Sequence, residues 1–170
     1  MDFNVGDPVV HWMHGLGKIV GLEERILAGQ KLLYYVVQIQ DLTVCVPADD
    51  KAMSRLRPPT TERGFKKLFT ILSGPGEALS EDRHERKIEL HRKLEDGRAE
   101  AVCRVIRDLS SFQQKKPLND DDKNILRRAW NSLLGEWGFA LSVPLPQAEL
   151  ELNRLLRQPT NKSAGLSRGA

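Results

Sequence analysis

The spacing of apolar residues changes near residue 58. Before it, short runs rich in Val, Ile, Tyr and Trp alternate with turn-forming residues, as is typical of antiparallel strands. We predict four or five strands, four of which are Val9–Trp12, Lys18–Leu22, Leu33–Ile39 and Leu42–Val46. A single hairpin is not stable in water, so the strands are expected to close on one core as a small β barrel of the SH3 or Tudor kind.

Helical spacing begins after two consecutive prolines, Pro58 and Pro59. Because proline fits neither the interior of a helix nor a central strand, this segment marks a boundary. The first apolar stripe beyond it has i, i+3, i+4, i+7 spacing: Phe65, Leu68, Phe69 and Leu72. We therefore predict an α+β protein of two domains, with the barrel at residues 1–57 and an all-α bundle at 61–157.

Capping residues predict where the later helices begin. Ser80 is placed to cap one helix and Asn119 to cap a longer one. Asp120 to Asp122 follow Asn119, where the positive end of the helix dipole favours negative charge. Trp130 and Trp137 lie on the apolar face of that longer helix, and we interpret them as core residues rather than as DNA-stacking groups.

Composition narrows the class of protein. Apolar residues make up 40% of the 170 residues, which is enough for a packed core. The sequence contains no run of 18 apolar residues, the length that a membrane-spanning helix needs. Cys45 and Cys103 lie far apart, and no export signal precedes them, so reduced thiols in a cytoplasmic protein are expected. The polar residues 158–170 are predicted to form a disordered tail.

Charge is uneven along the chain. The net charge is only +3, but the stretch from Arg83 to Arg107 carries eight basic and five acidic side chains. A helical stretch of this composition can meet phosphate groups. The alternative is a solvated helix face of mixed charge.

The segment Val5–Glu24 combines glycines, histidines and a tryptophan between apolar runs. Its G-x-G-x-x-x-G spacing misses the dinucleotide fingerprint and is followed by a strand pattern instead of a helix. His11 and His14 lack the further ligands that zinc needs. No nucleophile motif or oriented Cys–His pair occurs. We predict no catalytic residue, no metal and no cofactor, and interpret the segment as the first hairpin.

Four segments in order carry motifs of one family. Phe3–Val10 matches F-x-V-G-D-x-V-V, and Asp41–Pro47 (DLTVCVP) matches D-L-x-V-x-V-P. Residues 93–109 (KLEDGRAEAVCRVIRDL) and 118–140 (LNDDDKNILRRAWNSLLGEWGFA) match its later helix motifs. The chain from about Met1 to Leu156 resembles the CarD/CdnL family, bacterial regulators that bind RNA polymerase.

The resemblance implies that the barrel docks by a strand edge onto the β subunit of RNA polymerase, with main-chain pairing supplying affinity. Arg25 stands where the family has an arginine at that interface, and Leu27 occupies a neighbouring apolar position. The other residues expected at the contact lie in the D-L-x-V-x-V-P strand: Val44, Cys45, Val46 and Pro47. Cys45 replaces a second arginine of many members, so one charge contact is expected to be missing.

The resemblance also implies a DNA-facing helical domain. In the family this domain lies near the upstream edge of the −10 promoter element, contacts DNA without reading its sequence and favours the open complex. A family tryptophan that acts as a minor-groove wedge corresponds here to Arg83. An arginine can still enter a narrow minor groove. The remaining residues expected to contact DNA are Arg86, Lys87 and Lys123.

Two other hypotheses stay open. A paralogue could keep the protein-binding barrel and have lost DNA engagement, acting as a scaffold or competitor, since the wedge is replaced by Arg83. The barrel could also dock onto another partner, because the transcription-repair coupling factor shares this type of barrel. Under the leading hypothesis the protein is expected to be a monomer, cytoplasmic and associated with the nucleoid.

Overall fold

The computed structural model describes residues 2–157, apart from the side chain of Met53; the tail predicted at 158–170 lies outside them. The strands are β1 (Pro8–His11), β2 (Gly15–Leu27), β3 (Gln30–Ile39), β4 (Leu42–Pro47) and β5 (Leu56–Arg57). The helices are α1 (Ala52–Arg55), α2 (Glu62–Leu72), α3 (Arg83–Glu95), α4 (Ala99–Gln113), α5 (Asp120–Leu141) and α6 (Leu145–Arg157). The α+β layout of a sheet followed by helices is confirmed.

The five strands form one antiparallel sheet in the order β4-β3-β2-β1-β5. Within residues 2–157, β4 and β5 are the two ends of this order, and no pairing joins them. Closure into a barrel, expected from the sequence, is therefore not shown. What the sheet does present is a β4 edge that no other strand of the described chain covers.

The β2–β3 hairpin is longer than the sequence predicts. The turn at its tip consists of Ala28 and Gly29, both with positive φ (50° and 77°), the combination that suits the right-handed twist of a two-residue hairpin. Glu23, Glu24 and Lys31 near the tip are exposed, so this part of the hairpin has no buried face. Apolar and polar residues do not alternate regularly in this part of the hairpin, so the sequence pattern predicted strands that are too short.

The sheet and the helices have separate cores. One side of the sheet buries Val9, Ile19 and Val37 completely, with Leu56 of β5 at 1% exposure. A larger cluster, which includes Phe65, fills the space between α2, α3, α4, α5 and α6. The core interpretation of the tryptophans is confirmed, because Trp137 is buried in that cluster and Trp130 packs against it half-buried.

The structure confirms one predicted cap and corrects the other. Asn119 caps α5 in a capping box: its side chain accepts the Asp122 N–H at 2.9 Å, and the Asp122 carboxylate accepts the Asn119 N–H at 3.3 Å. For α3 the cap is Asp82 and not Ser80, since the Asp82 carboxylate accepts the Glu85 N–H at 2.9 Å. Ser80 lies two residues before Asp82 and instead donates to the Glu85 carboxylate.

Candidate functional site

The outer edge of β4 is set by its register with β3. The Ala48 N–H donates to the Leu33 C=O at 2.8 Å, just past the end of the strand. In an antiparallel ladder every second residue repeats this pattern, so Val46 and Val44 direct their N–H and C=O groups to β3. The residues between them direct theirs away from the sheet.

Those intervening residues are Thr43, Cys45 and Pro47. Thr43 and Cys45 each present an N–H and a C=O at the free edge, and Pro47 presents only a C=O because proline has no N–H. Unpaired strand edges of this kind accept a further strand readily. We call the backbone groups of these three residues the β4 margin.

The side chains beside the β4 margin centre on Arg25. Its guanidinium lies 3.2 Å from the Cys45 sulfur and 3.2 Å from the Glu23 carboxylate, and it sits over the Tyr34 ring at 5.2 Å from the centroid. The pairings of Glu23 with Tyr34 and of Val36 with Cys45 place these groups on one face of the sheet. Tyr34 was not singled out from the sequence; its place opposite Glu23 is visible only once the hairpin register is known.

Leu27 lies two residues beyond Arg25 on the same face and is 52% exposed. It belongs to an exposed apolar group on the β2–β3 hairpin: Leu22, Ile26, Leu27, Leu32 and Leu33. In the register of β2 with β3, Leu32 shares the face of Leu27, whereas Leu22, Ile26 and Leu33 lie on the opposite face. The structure therefore places Arg25, Leu27, Cys45 and Pro47 on one face of the sheet, next to the β4 margin.

Two predicted docking residues have inward-facing side chains. Val46 is 2% exposed, and Val44 is half-buried against the core of the sheet. The Val46 side chain is not accessible to a partner in this structure, and the backbone groups of both residues are directed to β3. Their assignment as contact residues stays a prediction: here they anchor β4 and leave its margin to Thr43, Cys45 and Pro47.

The predicted DNA-facing residues gather where α3 and α5 begin. Arg83 is the first residue of α3 and is exposed; Lys123 lies in the first turns of α5 and is also exposed. Neither side chain has a hydrogen-bond or ion-pair partner within residues 2–157. Lys87 lies one turn after Arg83 and pairs with Asp121 of α5 at 3.4 Å. We call Arg83, Lys87 and Lys123 the basic end.

Arg86 does not belong to this basic end. It is 3% exposed, and its Nε and Nη2 donate to the two carboxylate oxygens of Asp122 at 3.0 and 2.8 Å. Its Nη1 donates to the Ser80 carbonyl at 2.9 Å, and the Phe112 ring centroid lies 4.7 Å from its guanidinium carbon. The assignment of Arg86 to DNA stays a prediction that these contacts do not favour: its donors are directed inward, and it ties the start of α3 to the start of α5.

Acidic groups moderate the charge of the basic end. Asp121 neutralises Lys87, and Glu81, just before α3, pairs with Lys116 at 3.1 Å. The surface is therefore of mixed charge, with Arg83 and Lys123 as its unpaired cations in the described part of the chain. Contact with DNA would rest on a small number of charges, which favours weak binding with a shallow dependence on salt concentration.

His11 ends β1 next to the helices and is buried. Its Nδ1 accepts the backbone N–H groups of Met13 and His14, both at 3.2 Å, and the His14 ring stacks on it at 4.9 Å between centroids. Burial, followed by the proximity of His14, lowers the pKa of His11 from 6.5 to about 4. The two accepted hydrogen bonds require an unprotonated Nδ1, so the ring holds the β1–β2 turn only when neutral.

We expect protonation of His11 to destabilise the fold in a defined pH range. Because its pKa is lowered on folding, its contribution is complete above pH 6.5 and is lost as the pH falls from 6.5 towards about 4. Urea unfolding at a series of pH values measures this slope. His11→Asn keeps an acceptor that does not titrate and should flatten the curve above pH 4.5, where carboxylates are still charged; an unchanged slope would contradict the assignment.

Other kinds of site find no support in the described chain. Among residues 2–157, no three or more His, Cys, Asp or Glu side chains are placed to hold a metal ion. None of the helices described combines the length and the apolar character that a membrane span requires. The surface features that remain are the β4 margin, the exposed hairpin and the basic end.

Comparison with known proteins supplies the family. A family model described as "CarD-like/TRCF RID domain" matches residues 3–59, and one described as "CarD, C-terminal domain" matches residues 67–153. The chain belongs to the CarD-like family. "Putative transcription factor YdeB" from Bacillus subtilis (strain 168) is 31% identical to this CarD-like protein over 137 residues, which cover 79% of this chain and 89% of the relative. The protein is thus a CarD-like transcription regulator and not an enzyme.

Proposed function

We propose that this CarD-like regulator binds the β subunit of RNA polymerase through the β4 margin and stabilises the promoter open complex through its helical domain. The observation that carries the first part is the uncovered β4 edge with Arg25 beside it. The regulator is proposed to act as a monomer, in the cytoplasm and associated with the nucleoid.

Strand addition explains why the edge suits a protein partner. A partner strand would pair with the N–H and C=O groups of Thr43 and Cys45, which gives affinity without demanding particular side chains. Arg25 is nearly half exposed and already oriented by the Tyr34 ring. A guanidinium held in this way can form two parallel bonds to a carboxylate of the partner, which would fix the register.

The helical domain would contact the DNA backbone without reading base sequence. Arg83 and Lys123, at neighbouring helix starts, are exposed cations suited to phosphate groups. Arg83 can also enter a narrow minor groove, where the negative potential attracts a guanidinium. It offers no apolar surface to an unstacked base, so stabilisation of melted DNA would be weaker than with an aromatic wedge.

A second candidate function is that of a scaffold or competitor that binds polymerase without engaging DNA. Arg83 in the wedge position and the neutralised Lys87 favour it, because together they leave the basic end with little charge and no stacking surface. In that case the β4 margin would carry the whole activity. The two candidates differ in whether the unmodified protein prolongs the life of the open complex.

Arg83→Trp is expected to lengthen the lifetime of the open complex, measured as heparin-resistant transcription on a defined promoter. Base stacking on an aromatic ring contributes about 1 kcal/mol or more, which corresponds to roughly a fivefold longer lifetime. Arg92→Trp, at an exposed position further along α3, is the control and should have no effect. A lifetime extended by the unmodified protein supports the first candidate; an extension seen only with Arg83→Trp supports the second, and none with either protein contradicts DNA engagement.

A further inference from the structure

One buried ion pair joins the sheet to the helices. Arg57, the last residue of β5, donates from Nη1 and Nη2 to the two carboxylate oxygens of Glu136 on α5, at 2.6 and 2.8 Å. The Glu136 side chain is 1% exposed and that of Arg57 15%. These residues are 79 positions apart in the sequence, and neither is needed at the β4 margin or the basic end.

Two backbone groups complete this arrangement. Arg57 Nε donates to the Gly97 carbonyl in the α3–α4 turn at 2.7 Å, and the Thr60 N–H donates to Glu136 Oε1 at 2.7 Å. Although burial alone raises the pKa of the Glu136 carboxyl, the Arg57 and Thr60 hydrogen bonds outweigh it and lower the pKa below its usual range. Both oxygens of a charged Glu136 are thus bonded, and β5, the Pro58-Pro59 linker, the α3–α4 turn and α5 meet at one point.

Further contacts between the sheet and the bundle lie near this point. Gly15, at the start of β2, lies so close to α5 that a Cβ there would be 3.4 Å from Ser132. Gly97 approaches the sheet domain more closely, since a Cβ on it would be 2.7 Å from the Ser54 carbonyl oxygen. Trp12 also lies beside Gly97. These are van der Waals contacts without the directional bonds of the Arg57–Glu136 pair, so they tolerate more than one orientation.

We propose that Arg57 and Glu136 are positioning residues that hold the basic end at a fixed place relative to the β4 margin. Docking of the sheet onto the polymerase β subunit then also places the helical bundle against the promoter DNA. This inference rests on the proposed function and adds how its two halves are coupled. Without the ion pair, the van der Waals contacts around Gly15 and Gly97 and the four residues between β5 and α2 would be left to hold the sheet and the bundle together. The orientation of the bundle relative to the sheet would then have to be fixed during binding, which lowers the affinity for DNA. A sheet and bundle already held in one orientation avoid this cost.

The geometry explains why an ion pair is used here. A buried charged pair is not by itself a strong source of stability, since apolar residues of similar volume often replace it without loss. Its bidentate geometry, however, allows one relative orientation of the two groups, whereas an apolar contact tolerates several. Replacing both partners by apolar residues should therefore separate orientation from folding.

The test uses the double variant Arg57→Met/Glu136→Leu in the full chain. Spin labels at Asp41→Cys, in the β3–β4 turn, and Gln114→Cys, at the end of α4, report the distance between sheet and bundle in a Cys45→Ser background. Cys103 is buried, and burial raises the pKa of its thiol, so it does not compete for label. We expect a narrow distance distribution with Arg57 and Glu136 present and a broad one in the double variant.

The same double variant, unlabelled, is then assayed for function. Binding to an isolated β-subunit fragment should stay within about twofold, because the β4 margin is untouched, while the extension of open-complex lifetime should fall at least about fivefold. The matched control Lys67→Met/Glu100→Leu removes an ion pair of 3.7 Å between α2 and α4, within the bundle, and should change neither result. Glu136→Gln, which keeps the shape and loses the charge, should give an intermediate broadening if the double variant does not fold.

A distribution as narrow in the double variant as in the parent chain would overturn the proposal. So would a broad distribution with an unchanged open-complex lifetime, because orientation would then not matter for activity. If the parent chain neither binds the β subunit nor extends the lifetime, the proposed function fails, whereas the spin-label distances still decide whether Arg57 and Glu136 fix the orientation.

Discussion

Replacing Arg86 by leucine is expected to lower the free energy of unfolding of the helical domain by about 3–5 kcal/mol. The substitution leaves the Asp122 carboxylate, 1% exposed, without its bidentate partner in the interior. It also leaves the Ser80 carbonyl without the donor from Arg86 and removes the contact with the Phe112 ring. Urea unfolding followed by helical circular dichroism measures the loss.

A compensating substitution distinguishes the destabilisation caused by an unpaired buried charge from that caused by lost packing. Arg86→Met combined with Asp122→Leu should recover much of the loss, because no unpaired charge remains inside. Lys87→Met is the matched control, since it removes the exposed pair with Asp121 and should cost less than about 1 kcal/mol. Equal losses for Arg86→Leu and Lys87→Met would show that Arg86 is not the internal tie that its contacts indicate.

Cys45→Pro is expected to reduce binding to a β-subunit fragment at least about tenfold while leaving the fold intact. The Cys45 N–H points away from β3, so a proline there breaks no hydrogen bond within the sheet. It does remove one of the N–H donors of the β4 margin, and its ring obstructs a partner strand. Biolayer interferometry gives the affinity, and a thermal melt checks the fold.

Two further variants separate the backbone from the side chains in this contact. Cys45→Ala keeps the N–H and removes the sulfur that faces Arg25, so it should bind much like the parent chain. Arg25→Glu leaves the margin intact and reverses the neighbouring charge, so it should slow association and weaken binding. Equal affinity for Cys45→Pro and Cys45→Ala would rule out strand addition at this edge.

Features that depend on neighbours in the sequence were predictable. The change from strands to helices at Pro58-Pro59 follows from the missing N–H and fixed φ of proline. The cap at Asn119 follows from its own side chain and the three aspartates after it. The core position of Trp137 follows from helical spacing of apolar residues. Each of these features depends on only a few neighbouring residues, so the sequence contains all the information needed to predict it.

The candidate sites were only partly predictable, and Arg83 and Arg86 show why. They are basic residues three positions apart, and both were expected to contact DNA. Helix α3 is so polar that few apolar residues mark its inner face, with Leu90 the one fully buried. The packing of α3 against α5 decides that Arg83 is exposed and Arg86 buried. The same holds in β4, where register with β3 decides which of Val44 and Cys45 faces outward.

The family, the α+β order of a sheet followed by helices and local signals such as the Asn119 cap could be inferred from the amino-acid sequence. Packing between distant segments sets which strand edge is uncovered and which charged residues are internal, as with Arg57 and Glu136. Such features are hidden in the sequence because a hydrogen bond between residues 79 positions apart leaves no spacing pattern in the chain. Its partners become identifiable only when folding brings them within 3 Å of each other.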